Sequence, residues 1–216
     1  MNGEVTNPTV QRPRRPSRAV RAVVVGVAAI ALVGLPIGMA AAPPPKDDLV
    51  GVFGATNTEF PDPAFLVNGE PVSGQALARS VAVFEYQARQ LGNPLDHRTA
   101  IKQAVERLAV QVRLRQMAEE RGYAVSDAEL DAYLSGLVAQ ARQSAPDPGN
   151  LALLAAGGYP SWEAYVADPA VRAEYRNALL VNKLISELLA ADPGLTAEDL
   201  QAKALADAKI ELRFSP

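Results

Sequence analysis

Phe65-Leu66-Val67-Asn68-Gly69-Glu70-Pro71-Val72-Ser73 is the stretch on which the fold turns. A short apolar run meets Asn-Gly, a strong signal for a tight turn, and ends at Ser73, whose hydroxyl suits a helix N-cap. It reads as a small strand and turn feeding a helix. The far end of the chain offers a counterpart. Ile210, Leu212 and Phe214 alternate with Lys209, Glu211 and Arg213, the period of a half-buried strand. A lone strand leaves its backbone groups unpaired. The two strands are therefore expected to pair and to join the ends of whatever lies between them.

What lies between is patterned for helices. Leu77, Val81, Phe84, Ala88 and Leu91 form one apolar stripe on a helix that ends at Gly92. Asp96 can cap, and Gly122 can stop, a long second helix. Its apolar residues fall in two stripes, Ile101, Val105, Leu108, Val112 and then Val110, Leu114, Met117. A face that rotates along a helix implies different neighbours at its two ends, so this helix is expected to be the spine. Ser126 and Glu129 make a capping box for a third helix with Leu130, Leu134, Leu137, Val138 and Ala141 inward. Ala145 to Gly149 breaks it, and Leu151, Leu153 and Leu154 suggest a short helix before Gly157-Gly158. Ser161 opens a segment with Trp162, Tyr165 and Val166. Asp168-Pro169 reads as an N-cap with proline at the first helical position, or as a kink. A broadly apolar helix follows, and Thr196 with Asp199 starts a last short one.

Charge divides the rest of the chain. Residues 1–21 carry five arginines and one glutamate, a net of +4. Residues 22–42 carry no charged side chain. Residues 43–216 hold 16 basic and 23 acidic residues, a net of −7. The uncharged stretch matches the roughly 20 residues needed to span a bilayer better than the roughly 7–15 of a signal core. The arginines before it place the N-terminus in the cytoplasm and the rest outside. A membrane anchor at 22–42 and a signal segment cleaved near Gly38-Met39-Ala40 both stay open. Prolines 43–45, 61 and 63 mark residues 43–63 as a tether. The fold class expected is mainly α: a helical domain over 64–216, closed by its terminal strands and preceded by one transmembrane or signal helix.

The chain has no cysteine and one histidine, His97. That excludes disulfides, thiol chemistry and a cysteine-anchored lipid, and disfavours histidine-based metal sites and triads. His97 sits beside Asp96 at a helix start, where a solvated or charged histidine is ordinary. No cofactor is expected, because no phosphate loop or ligand-spaced acidic cluster occurs. The basic residues of the long helix read as a solvated face rather than a nucleic-acid patch, since the exported part is acidic.

Three stretches together resemble the N-terminal domain of SurA-like and PrsA-like exported foldases. The first is Val67 to Ser73, strand then helix. The second is Ala118-Glu119-Glu120-Arg121-Gly122-Tyr123-Ala124-Val125-Ser126-Asp127-Ala128-Glu129-Leu130, and the third Ser161-Trp162-Glu163-Ala164-Tyr165 leading to Glu174-Tyr175-Arg176. The likeness spans residues 64–214. It implies a chaperone-type module that holds unfolded or extended exported polypeptides in an apolar groove. In that family a parvulin isomerase domain often follows. Here the chain reaches Pro216 just after the closing strand, and the histidines of such a site are missing, so no isomerase activity of its own is expected. Candidate groove residues are Tyr86, Tyr133, Trp162 and Tyr165, although aromatics are more often spent on packing. Two other readings stay open: an isomerase-family protein with unrecognised activity, and an envelope adaptor for one dedicated partner. A homo-dimer is compatible with the sequence but not required by it.

Overall fold

The computed structural model describes residues 51, 52, 54, 56–143 and 154–215. The predicted leader, the apolar stretch 22–42, the first part of the tether and the predicted break at 145–149 lie outside them. Among the described residues no helix is long and apolar enough to cross a membrane.

Strand β1 (Phe65–Val67) and strand β2 (Glu70–Val72) form a hairpin through Asn68-Gly69. Both turn residues are left-handed, φ 51° and 86°, which is why Asn-Gly stands there. Glu70–Val72 is thus a second strand, where the sequence reading had one strand and a turn. Pro71 faces Leu66 on this outer strand, and an edge tolerates a residue without an N–H. Strand β3 (Ile210–Leu212) pairs antiparallel with the other side of β1, Phe65 opposite Leu212 and Val67 opposite Ile210. The two ends of the domain therefore do pair. Arg213 N–H donates to Ala64 C=O, and Asn68 N–H to Lys209 C=O, both at 2.9 Å. The inward alternation of β3 holds for Ile210 and Phe214, which pack on the core, but Leu212 is 42% exposed. It lies at the rim of an edge strand.

Helix α1 (Gly74–Gln90) is capped by Ser73, whose Oγ accepts from Ala76 N–H at 3.1 Å. Leu77, Val81 and Ala88 are buried and Phe84 half-buried. Leu91 departs from the expected stripe: it follows the helix, Gly92 turns the chain away at φ 70°, and the side chain is 67% exposed. Helix α2 (His97–Glu120) starts after Asp96, which accepts from Thr99 N–H at 3.0 Å, and stops before Gly122 at φ 77°. Its two stripes have different partners, as expected. Ile101 and Val105, with Leu108 and Val112, join Phe65, Val67, Val72, Leu77 and Val81 in a core beneath the sheet. Val110, Leu114 and Met117 join a second core with helix α5 (Pro169–Ala191) and helix α6 (Ala197–Ala206), through Leu180, Leu184, Ile185, Leu200 and Ala204. Ala100, Ala104, Ala109 and Ala118 are fully buried. Such small residues let neighbouring backbones approach.

Helix α3 (Asp127–Gln143) and helix α4 (Trp162–Ala167) complete the described elements. Ser126 and Glu129 form the expected reciprocal cap. Lys183 of α5 donates to Glu129 and to Ala124 C=O, both at 2.7 Å, and with Ser126 draws the Glu129 carboxyl down to about 2. Asp168 caps α5 ahead of Pro169, accepting from Ala170 N–H at 2.7 Å, so the N-cap reading holds rather than the kink. Asn57–Pro63, read from the sequence as the end of the tether, lies against the domain, with Phe60 buried at 7%.

Leu114→Ala should destabilise the protein by about 3–5 kcal/mol, the cost of a buried leucine and the cavity it leaves. Leu91→Ala should stay within about 0.5 kcal/mol. Urea unfolding measures both, and comparable losses at the two positions would contradict this core.

Candidate functional site: an aromatic lobe on helices α3 to α5

Of the four aromatics singled out from the sequence, three come together. Tyr165 of α4 is the centre. Trp162 meets it edge-on at 5.6 Å between ring centroids, Tyr159 at 5.2 Å and Tyr175 of α5 at 6.4 Å. Tyr133 of α3 reaches the group through Tyr175 at 5.9 Å. Leu154, Val166 and Val171 fill around the rings. Edge-to-face geometry of this kind adds about 0.5–1.5 kcal/mol per pair beyond the area buried. Tyr165 is buried, while Tyr133, Tyr159, Trp162 and Tyr175 are half-buried and keep part of their faces towards solvent.

Local chemistry explains the arrangement. Ser161 accepts from Ala164 N–H at 3.2 Å and starts α4, which sets Trp162 and Tyr165 three residues apart on one face. Gly158, at φ 70°, ends the turn after Leu154 and delivers Tyr159, whose hydroxyl donates to Asp168 at 2.8 Å. The same carboxylate caps α5, so one residue orients both the ring and the helix that carries Tyr175.

Tyr86 is elsewhere. It lies buried at 5% on α1 with Val52, Ala82 and Val83. Tyr159 and Tyr175 were not among the sequence candidates. Tyr175 falls within the broadly apolar helix expected after Pro169, and the position of Tyr159 depends on Asp168, nine residues away. A cluster of Tyr, Trp and Tyr within residues 159–165 was the available signal.

Burial sets the protonation of the lobe. Burial, with Tyr175 and Glu174 adding to it, pushes the Tyr165 phenol far above its ordinary value. Burial also raises Tyr133 and Tyr175. These rings stay neutral at physiological pH, apolar in body and polar at the tip. Glu174 is crowded by protein, which raises its carboxyl; Arg79 of α1 opposes this, and Asp168 reinforces it. Charged groups rim the aromatic patch.

The lobe is fastened by ion pairs. Arg172 pairs with Asp131, Arg176 with Asp127, Arg142 with Glu163 and Lys183 with Glu129. Each joins α3, or the loop before it, to α4 or α5. Helix α3 itself buries only Leu130, Leu134 and Val138. Exposed pairs contribute about 0–1 kcal/mol each. Helix α3 is accordingly among the less deeply anchored parts of the domain.

His97 occupies a different place, at the first position of α2. Its Nδ1 lies 2.6 Å from Glu85 of α1 and its Nε2 2.9 Å from Glu59. Glu85 first and Glu59 second raise its pKa above the ordinary value, with partial burial opposing. Among the described residues no group of three or more His, Asp or Glu is arranged to hold a metal ion.

The family described as SurA-like N-terminal domain matches residues 11–148. The match takes in the sheet hairpin, α1, α2 and α3, and stops before α4 and the third resembling stretch. No curated protein and no solved structure matches the chain.

Tyr165→Ala should remove the centre of the cluster. Trp162 is the single tryptophan, so its near-ultraviolet dichroism should collapse while the helical signal persists. Tyr86→Ala should leave the tryptophan signal unchanged. A tryptophan band that survives Tyr165→Ala would refute the packing described.

Proposed function

The chain belongs to the SurA-like N-terminal domain family, and on that premise we propose that it is a chaperone-type module that binds unfolded or extended exported polypeptides on the aromatic lobe. The observation that carries this reading is the lobe itself. Tyr133, Tyr159, Trp162 and Tyr175 show partial faces around buried Tyr165, beside a helix held largely by exposed ion pairs. Such rings bury client side chains with little demand on sequence, and their hydroxyls accept or donate to a client backbone. Affinity would be modest and tolerant, as suits a client that must later leave.

The same proposal assigns no isomerase activity to the domain. In support, both ring nitrogens of the single histidine are engaged by carboxylates, and a general acid or base needs a nitrogen free to reach substrate. It also places the domain outside the cytoplasm, on an anchor or after a cleaved signal at residues 22–42. The support there is the run of five arginines ahead of 21 uncharged residues.

The full chain, held in lipid nanodiscs, should slow aggregation of a chemically unfolded exported protein at a few-fold molar excess. Tyr133→Ala combined with Trp162→Ala should weaken that protection roughly 5- to 50-fold, the cost of two aromatic contacts at about 1 kcal/mol each with some loss of buried area. No protection by the unaltered chain would rule the reading out. Protection unchanged in the double variant would move the site off the lobe.

A further inference from the structure

The segment from Asn57 to Asp62 crosses the end of the sheet before β1 begins. Asn57 folds it: its side-chain oxygen accepts from Phe60 N–H at 2.8 Å and its amide donates to Phe60 C=O at 2.7 Å. Two bonds lay it along the start of α1, Asn57 N–H to Gln75 at 2.9 Å and Gly74 N–H to Asp62 at 3.3 Å. The fit is close. A Cβ on Gly74 would come within 2.6 Å of Pro61 C=O. Phe60 points inward and stacks edge-on against Phe214, 5.2 Å between centroids. Beside them is a shallow cavity of about 250 Å³, whose lining includes Phe60, Phe214 and Ile101 with Glu59, His97 and Arg98. The third fastening of the segment is ionic, Glu59 to His97, and His97 in turn holds Glu85 of α1.

We propose that this segment is a pH-gated strap: protonated His97 latches it across α1 and α2, and loss of that proton lets Phe60 lift from Phe214 and opens the cavity between them. The reason lies in the imidazole. With both nitrogens protonated it donates to both carboxylates. Neutral, it keeps one N–H, so one carboxylate must face a lone pair. Glu85 is fixed on a helix, whereas Glu59 rides on the strap and is half exposed, so the strap is the part free to leave. Two other charged groups stand nearby. Arg98, which follows His97 on α2, lines the same cavity, and Asp96 is spent on Thr99 at the helix cap.

The sign follows from linkage. His97 binds its proton more tightly with the strap closed, because Glu59 adds to the rise that Glu85 already causes. The latch is therefore at full strength below the open-state value, which Glu85 alone holds above the ordinary histidine value of about 6.5. It weakens as pH rises through the raised closed-state value, and is flat above it. One proton limits the change in the opening constant to about tenfold per pH unit.

Hydrogen exchange on the full chain in nanodiscs, between pH 5.5 and 8.5 and corrected for the intrinsic rate, tests this. Amides of residues 57–64 should lose protection several-fold as pH rises above about 6.5, while those of α2 from Ala100 to Leu114 hold theirs. His97→Gln should leave the strap weakly protected and flat with pH, and Glu59→Gln should abolish the pH dependence without disturbing Glu85. A flat profile in the unaltered chain, or the same slope in His97→Gln, would overturn the proposal. So would a parallel loss over α2, which would make His97 a global stabiliser and not a latch.

Discussion

Helix α2 has to satisfy two sets of neighbours with one continuous backbone. A straight helix advances about 100° per residue, so an apolar face that shifts by a few positions turns towards a new direction. Ile101 and Val105 therefore face the sheet and α1, while Val110, Leu114 and Met117 face α5 and α6. Every other element takes its place from that rotation. The sheet closes the first core, with β1 joining residues from opposite ends of the domain. The second core fixes α5, and the N-terminal end of α5 then carries Val171 and Tyr175 out to α4. The hairpin turn is tied back to the same spine. Gln116 of α2 donates to Val67 C=O at 3.2 Å and accepts from the Asn68 amide at 2.8 Å, and Arg115 pairs with Glu70.

This layout separates the packed cores from the aromatic lobe. The described residues bury no polar or charged residue, and the first two cores are built mainly of aliphatics and alanines around α2, with Phe60, Phe65 and Met117 among them. The aromatic lobe stands at one side, joined to the spine through α5 and held to α3 largely by ion pairs at the surface. Interactions of that kind are weakened by salt and give way before a packed core does. The firm frame and the aromatic face lie on different elements, an arrangement that suits the proposed binding of irregular polypeptides.

Legibility in the sequence followed the range of the interaction. Caps were plain at Ser73, Asp96, Ser126, Ser161 and Thr196, because a cap is settled within three or four residues, while Asp168 stood open between a cap and a kink until the structure showed the cap. The pairing of β1 with β3 was also readable, since each strand was the other's obvious partner. Long-range arrangement was less so. Leu91 kept the period of its stripe yet lies past the helix end and outside the core. Pro71 obscured β2, because its tolerance depends on edge position. Tyr86 could not be told from Tyr133, Trp162 and Tyr165 by residue type, and only the packing of α3, α4 and α5 separates them. The attachment of Phe60 was hidden by the prolines around it, which have the composition of a spacer.

The claim at the centre of this account is that the aromatic lobe receives many extended chains. Photo-crosslinking in cells addresses it directly, with a photoreactive residue placed at position 133 or 162 and, as a control, at the more exposed position 91. The account predicts a broad distribution of crosslinked exported proteins from 133 and 162, and little from 91. A single dominant product from the lobe would identify a dedicated adaptor instead, and equal labelling from all three positions would remove the lobe as the binding surface.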